Sequence, residues 1–488
     1  MKNLRFLLVS MIVTVSILSM FCYGCKEEVH PPNVIFFLVD DMGWSDVGCY
    51  GSEYYETPNI DRLAKEGMRF TNAYASCTVC SPTRASILTG KYPGRLHITH
   101  AIPIRGYKRI DNGTGTPLMD ADYVMNLPLE EVTIAEALKL AGYATISIGK
   151  WHVCDEPEYF PEYQGFDKNV AGDGHGATKN YFYPYYNRWR MAEGYPWIEW
   201  NTITDGVPGE YLTDRLTVEA VRFIEENKER PFFLYLPHYA VHTPIQAKDS
   251  LIQKYMNQPG DTLKGHIRPE YAAMIESVDQ SMGALLGKLE ELDLADNTII
   301  IFASDNGGHG KWTSNYPWRG NKGNFYEGGI RVPTIIKWPG VTNGSSICDV
   351  PIISTDFYPT LLEMVNLPLM PDQHMDGLSL LPLLKNEGEL GREALYWHFP
   401  NYIGGGHPNP SPPCGVIRYH NWKLIEWFED GQLELYDLEN DPQEKKNLAG
   451  ENNEIAKDLQ QMLAGWRESV NAQMPEPNPE YAKEQSGN

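Results

Sequence analysis

Four continuous apolar runs, at Asn33 to Val39 (NVIFFLV), Ala144 to Ile148, Pro231 to Leu236 and Thr298 to Ala303, constrain this chain more than any other feature. The first shows no alternation of apolar with polar residues and the other three are read with it, so each is expected to be a strand buried on both faces of a parallel sheet. Between the runs lie helical patterns at Thr133 to Leu140, Leu212 to Asn227 and Pro269 to Leu292. Strands alternating with helices predict an α/β fold with a large, mostly parallel sheet flanked by helices. Polar and charged residues follow each run directly, at the strand ends where open α/β sheets hold their ligands. After about Leu384 the texture changes, with short strand candidates at Glu393 to His398, Gly415 to Tyr419, Lys423 to Trp427 and Gln432 to Tyr436. An amphipathic pattern over Ile455 to Val470 completes a smaller C-terminal antiparallel sheet subdomain packed with one helix.

The first residues stand outside this pattern. Lys2 and Arg5 precede an apolar run from Phe6 to Phe21, the layout of a secretory signal and too short for a membrane span. Gly24 before Cys25 resembles the small residue ahead of a lipoprotein cleavage site. Lys26-Glu27-Glu28 resembles the charged export tag of surface lipoproteins in Bacteroidetes-type bacteria. Lipidation of Cys25 is the preferred reading and simple cleavage the alternative. Either places the protein outside the cytoplasm, in the periplasm or on the surface of a Gram-negative cell, touching membrane only through an N-terminal lipid anchor. The expected division is a signal over 1–25, the main domain over 26–384, the C-terminal subdomain over 385–474 and a loose tail over 475–488. The formal charge of −23 becomes about −25 once Lys2 and Arg5 leave, which excludes a nucleic-acid binder. Of eight cysteines, loss of Cys22, Cys25 and Cys80 to processing leaves an odd set, so a dense disulfide framework is excluded.

Chemistry concentrates after the strands. Asp40-Asp41 and Asp305-Asn306 end two of them, and oxygen donors converging from adjacent strand ends suit a hard cation; one such pair alone would be an ordinary turn. Gly149-Lys150-Trp151-His152 follows a third strand, and His238 and His242 follow the fourth within Pro237 to Pro244. Arg319-Gly320-Asn321-Lys322-Gly323 leads into Tyr326-Glu327-Gly328-Gly329-Ile330-Arg331-Val332-Pro333, and the glycines let backbone and ammonium approach an anion. Cys77-Thr78-Val79-Cys80 is formally a C-x-x-C pair, but no second pair supports a zinc or redox site. Ser81 is a good N-cap and Pro82 a good first helical residue, so a helix is expected to begin just after Cys80.

Cys80-Ser81-Pro82-Thr83-Arg84, continuing to Leu88-Thr89-Gly90, resembles the maturation signature of type I sulfatases, arylsulfatase-like and of bacterial glycan-degrading type. The other motifs match that family in the same order, from about Asn33 to the C-terminal sheet. The resemblance implies an alkaline-phosphatase-like fold and conversion of Cys80 to formylglycine (3-oxoalanine) by a separate formylglycine-generating maturation enzyme. It also implies a divalent cation, Ca²⁺ with Mg²⁺ as the alternative, held by Asp40, Asp41, Asp305, Asn306 and residue 80. In the implied mechanism the hydrated aldehyde attacks sulfur, with Arg84 steadying it and Asp305 helping to deprotonate it. Lys150 and Lys322 hold sulfate oxygens, His242 protonates the leaving ester oxygen, and His152 takes a proton from the remaining hydroxyl to expel sulfate. Pro244, two positions after His242, favours that residue over His238. The family carries glycine where this chain has Cys154, a change expected to be without chemical consequence.

The expected activity is hydrolysis of a carbohydrate O-sulfate ester. Sugar rings suit the aromatic stretch Tyr181 to Trp200, although such residues equally fill ordinary cores. His97, His100, Arg105 and His175 are candidates for reading the sugar. Two alternatives remain: a phosphoester or phosphonate hydrolase of the same superfamily, and a catalytically silent surface glycan-binding lipoprotein.

Overall fold

The computed structural model of the protein describes residues 31–103, 115–185, 202–203, 205–403 and 411–481. Its largest sheet has eight strands: β1 (Asn33–Val39), β2 (Met68–Phe70), β3 (Ala144–Ile148), β4 (Lys168–Val170), β5 (Phe232–Pro237), β6 (Thr298–Ser304), β7 (Thr334–Lys337) and β8 (Ser346–Cys348). They lie in the order β8-β2-β7-β6-β1-β5-β3-β4. β7 runs antiparallel to both its neighbours, and every other pairing is parallel. The four long strands are those expected from the apolar runs. The three-residue strands β2, β4 and β8 carry no run long enough to announce them.

The lack of alternation in β1 has the expected cause. Ile35, Phe37 and Val39 pack into one core while Val34, Phe36 and Leu38 pack into another, so both faces of the strand are dry. The first core is covered by α1 (Pro58–Glu66), α4 (Leu212–Glu226) and α5 (Pro269–Glu291). The second is covered by α2 (Cys80–Thr89), α3 (Ile134–Leu140) and α6 (Phe357–Met364). Each fully buried Leu, Ile or Phe contributes about 1.5–3 kcal/mol by leaving water. α3 begins with a capping box in which Thr133 accepts the Glu136 N–H. α1 is capped from another helix: Asp279 of α5, 1 % exposed, accepts the N–H groups of Asn59 and Ile60 at 2.9 and 2.8 Å.

The C-terminal sheet has the order β9 (Ala394–Phe399), β10 (Cys414–Tyr419), β11 (Trp422–Trp427), β12 (Leu433–Asp437), all antiparallel, with α7 (Asn453–Ser469) packed on it. This sheet is joined to the main domain: Leu395, Trp397, Val416 and Ile425 share a core with Tyr74, Cys77, Phe325 and Ile330, and residues from Pro32 onward form one compact unit. The expected tail is corrected in part. Glu476–Pro477 pairs with Leu118–Met119, and the Asn478 N–H reaches the Pro117 carbonyl at 2.9 Å, so backbone pairing holds the start of that segment. Cys25 and the signal lie outside the described residues. Among the described residues no helix is long and apolar enough to cross a membrane, and Cys49, Cys77, Cys80, Cys154, Cys348 and Cys414 are all free.

Asp279→Ala is expected to lower stability by about 2–3 kcal/mol, because two first-turn N–H groups lose a buried acceptor. The measurement is the denaturant midpoint at unchanged slope. Asp279→Asn, which keeps one acceptor oxygen, should lose less; an unshifted midpoint for the alanine variant would deny the capping role.

Candidate active site

The site is assembled by strand register. β1 and β6 pair with Val39 opposite Ser304, so Asp40-Asp41 and Asp305-Asn306 leave the sheet side by side. The Asp41 N–H donates to Asp305 Oδ1 at 3.2 Å and the Asn306 amide donates to Asp41 Oδ1 at 2.8 Å. β5 and β3 deliver the remaining loops next door. Gly149 ends β3 at φ 116°, where a Cβ would lie 2.1 Å from the Pro237 carbonyl oxygen, so only glycine allows the Lys150 N–H to reach that carbonyl at 2.7 Å. The turn sends the Lys150 ammonium to Asp40, 2.5 Å away.

Cys80 is the first residue of α2, not the residue before it, and Val79 is the N-cap with extended backbone. The expected capping role of Ser81 is corrected: its hydroxyl instead accepts the Ile102 N–H at 3.0 Å, tying the helix to the following loop. Pro82 fits the first turn because its missing N–H would have no helical partner there. Cys80 Sγ lies 3.5 Å from Asp40 Oδ1 and 3.6 Å from Lys322 Nζ. Burial, reinforced by the Asp40 charge, pushes the thiol up to about 12, so as a cysteine it is protonated and a poor nucleophile.

Opposite charges are paired throughout. Arg84 places Nε and Nη2 on Asp305 Oδ2 at 2.9 and 2.8 Å and Nη1 on the Lys150 carbonyl at 2.7 Å. Lys322 Nζ contacts Asp41 Oδ1 at 2.5 Å. Burial acts to raise the Asp41 pKa, but Lys322 and then His242 outweigh it and hold the carboxyl well below its usual range. Burial and the neighbouring Asp305 push Asp40 up to about 7.

Two buried oxygens, Asp41 Oδ2 and Asn306 Oδ1, have no hydrogen-bond partner. With the carboxylates of Asp40 and Asp305 nearby, these oxygens are of the type that a hard divalent cation takes, and such an ion would satisfy both orphans. One ligand atom each from Asp40, Asp41, Cys80 and His242 lies within 4.8 Å of the others, which places the soft donors at the edge of the same spot.

The histidines separate by their partners. His242 Nε2 lies 3.7 Å from Asp41 Oδ2, and its Nδ1–H donates to the Thr243 carbonyl at 2.8 Å. His238 turns away to Ser281 Oγ, 3.0 Å distant, which resolves the competition for His242. His152 directs Nε2–H to the Ile102 carbonyl at 2.9 Å and leaves Nδ1 buried without a partner. Burial, then the Lys150 charge, holds its pKa well below the usual value, so it is a neutral base with an open lone pair.

Of the sugar-reading candidates, His175 joins the site. Its Nδ1 pairs with Asp173 Oδ2 at 2.7 Å, and the Asp173 carbonyl accepts the His152 N–H at 3.0 Å. A Cβ on Gly176 would fall 2.5 Å from the His152 ring, and His175 Nε2 is buried without a partner. His100 is buried, its ring nitrogens facing the Ala101 and Tyr402 carbonyls at 3.1 and 3.3 Å and its ring stacked on Tyr123. His97 reaches the Asn471 carbonyl at 2.9 Å instead of the pocket. Arg105 lies outside the described residues. Cys154 is buried in the core beneath the loop, consistent with a change that leaves the chemistry alone. Sequence reasoning missed His309, partly buried within electrostatic reach of Asp41 and Lys322; its only signal is its place three residues past Asn306.

Comparison with known proteins agrees with this geometry. The Sulfatase family pattern matches residues 32–367, and the pattern described as N-sulphoglucosamine sulphohydrolase, C-terminal, matches residues 316–469. A sulfatase of Formosa agariphila is 34% identical over 92% of this chain and 90% of its own. Human N-acetylgalactosamine-6-sulfatase is 33% identical over 83% of this chain and 74% of its own. The crystal structure of Ps i-CgsB, solved also in complex with k-i-k-neocarrahexaose, is 32% identical with a TM-score of 0.75 and covers 90% of this chain and 93% of that one. With the family's pattern spanning most of the chain and a relative 34% identical over nearly its whole length, the chain belongs to the sulfatase family, enzymes that hydrolyse sulfuric esters.

Proposed function

We propose that the protein removes sulfate from a carbohydrate O-sulfate ester, using a formylglycine made from Cys80 and a bound Ca²⁺. The observation that carries this reading is the setting of Cys80: buried, first in its helix, between Asp40 and Lys322, with a thiol too basic to act unmodified. Formylglycine would supply, as its hydrate, one hydroxyl to attack sulfur with release of the sugar alcohol, and a second whose deprotonation would expel the transferred sulfate and restore the aldehyde. Ca²⁺ fits the all-oxygen set of Asp40, Asp41, Asp305 and Asn306, where it would neutralise charge beside the sulfate.

The chain's own groups do the rest. Lys150 and Lys322 set fixed positive charge around a sulfate monoanion in a dry site. His242 holds one proton on Nδ1, so the proton for the leaving oxygen must be carried on Nε2. Burial and then Lys322 hold that imidazole's pKa at about 3, and an arriving sulfate anion opposes the Lys322 effect, favouring protonation when substrate binds. His152, neutral with Nδ1 open, accepts a proton from the residue-80 diol. Asp173 and His175, paired beside His152, are the groups among the described residues best placed to read the sugar. The substrate class is supported by relatives named N-acetylgalactosamine-6-sulfatase and by Ps i-CgsB in complex with k-i-k-neocarrahexaose. The N-terminal signal with Cys25 supports a lipid-anchored extracytoplasmic protein matured by a separate formylglycine-generating enzyme.

Protein co-expressed with such an enzyme should show a loss of about 18 Da in the peptide containing residue 80, the difference between thiol and aldehyde. An unmodified thiol in turnover-competent protein would sink the nucleophile assignment. Cys80→Ala should reduce hydrolysis of a sulfated galactose or hexosamine to background while leaving the unfolding midpoint near that of the parent. Lys322→Ala should lower kcat about 10²–10³-fold, the scale of losing one fixed charge partner. Dialysis against a calcium-selective chelator should abolish turnover and lower the melting temperature. Ca²⁺ at about 100 times its Kd should return about 2.7 kcal/mol of stability; recovery with Mg²⁺ and none with Ca²⁺ would refute calcium.

A further inference from the structure

We infer that the C-terminal sheet sets the position of the sulfate-binding lysine: Lys423 on β11, clamped between Glu327 and Glu444, is a positioning residue for Lys322. The inference rests on Lys322 contacting sulfate.

Lys322 sits in a loop closed by the Gly328 N–H donating to the Arg319 carbonyl at 2.7 Å. At the tip, the Lys322 N–H meets the Gly308 carbonyl and the Gly323 N–H meets the Thr78 carbonyl, each at 3.1 Å, linking the cation side of the pocket to the segment before Cys80. Both ends of the loop are gripped by the C-terminal sheet and the turn after it. At one end, Lys423 Nζ lies 3.0 Å from Glu327 Oε1 and 2.8 Å from Glu444 Oε1, with all three side chains fully buried. The Glu327 N–H donates to Glu444 Oε2 at 2.7 Å and the Tyr74 hydroxyl donates to Glu327 Oε2 at 2.7 Å. At the other end, Arg319 donates to the Glu444 carbonyl at 2.8 Å and to the Tyr436 hydroxyl at 3.0 Å, and its guanidinium stacks 3.7 Å from the Tyr326 ring centroid. Glu444 therefore touches both ends of the loop, through its carboxylate and its carbonyl.

A buried ion cluster adds little net stability, since packed apolar groups would serve as well, but it admits few alternative arrangements. A reacting group misplaced by about 1 Å can cost ~10²-fold in rate. A loop of small and polar residues between Arg319 and Gly323 has no core of its own to prevent that displacement. The cluster supplies the constraint from outside the pocket, through residues that touch neither sulfate nor cation donors.

A double-mutant cycle tests this, with kcat/KM on a sulfated saccharide and inhibition by inorganic sulfate measured for matured enzyme. Lys423→Met should lower kcat/KM about tenfold to a hundredfold and weaken sulfate inhibition. In a Lys322→Ala background, assayed at high enzyme concentration, the same change should alter kcat/KM by no more than about twofold, because its effect passes through the missing lysine. Lys423→Arg, which keeps a cation between the two carboxylates, should retain most activity. Equal losses in the two backgrounds would overturn the inference and leave Lys423 as a general stabiliser. Should Lys423→Met fail to accumulate, the exposed Arg319→Ala carries the same comparison, with a loss of about threefold to tenfold that vanishes in the Lys322→Ala background. Lys322→Ala with unchanged kcat/KM and sulfate inhibition would instead remove the role of Lys322 itself, a failure distinct from additivity.

Discussion

Three carboxylates and three cations packed together at the ends of adjacent strands govern the rest of this molecule. Asp40 faces Lys150, Asp41 faces Lys322 and Asp305 faces Arg84, all essentially buried. Each charge would cost several kcal/mol to bury alone, and removing one partner of such a pair typically costs about 3–5 kcal/mol. The site is therefore tolerable only if every contributor arrives together. The fold meets that demand because β6, β1, β5 and β3 are parallel neighbours, so all four loops emerge at one edge of the sheet. The dry cores on both sheet faces fix the strands in register, and register places Asp40 next to Asp305.

The same pairing explains why the site remains short of two hydrogen bonds. Lys322 and the Asn306 amide both approach Asp41 Oδ1, leaving Oδ2 bare, and the Asn306 carbonyl oxygen is also bare. A protein that spends its cations on three carboxylates yet strands two buried oxygens beside them has left a position for one more positive charge. Cys80 and His242 border that position. The paired carboxylates, Cys80 and His242 are in this sense one electrostatic object, and the C-terminal sheet extends it by fixing the loop that carries its third cation.

Much of the fold was legible because its strongest constraints are local. The run NVIFFLV spells a two-face strand, and two Asp-Asp and Asp-Asn pairs at strand ends stand out only in that context. What could not be read depends on distant residues. Ser81 and Pro82 suggest a cap, yet the chain reaches Ser81 from Ile102 and lets Val79 open the helix. His100 and His175 are the same residue type on similar loops; stacking against Tyr123 buries the first, while pairing with Asp173 aims the second beside His152. Lys423 lies 96 residues from Glu327, with nothing in either neighbourhood to pair them.

The net charge of about −25, expected after loss of the signal, opposes an anionic substrate at first sight, and distance resolves the conflict. At physiological ionic strength the Debye length is about 8 Å, so carboxylates scattered over the surface are largely screened from the pocket. Inside it the relevant separations are a few ångströms and the medium is poorly polarisable, so Lys150, Lys322 and Arg84, together with the carboxylates they pair with, outweigh distant surface charge in what a sulfate meets. The acidic surface acts mainly on encounter, slowing approach at low salt, whereas the buried cations act on the bound state and the transition state. Added salt should therefore relieve the encounter barrier before it weakens the pocket, and kcat/KM on a highly sulfated oligosaccharide should rise with moderate salt while kcat stays flat. A fall in kcat/KM from the lowest ionic strength upward would mean that a cationic surface, not the buried set, captures the substrate.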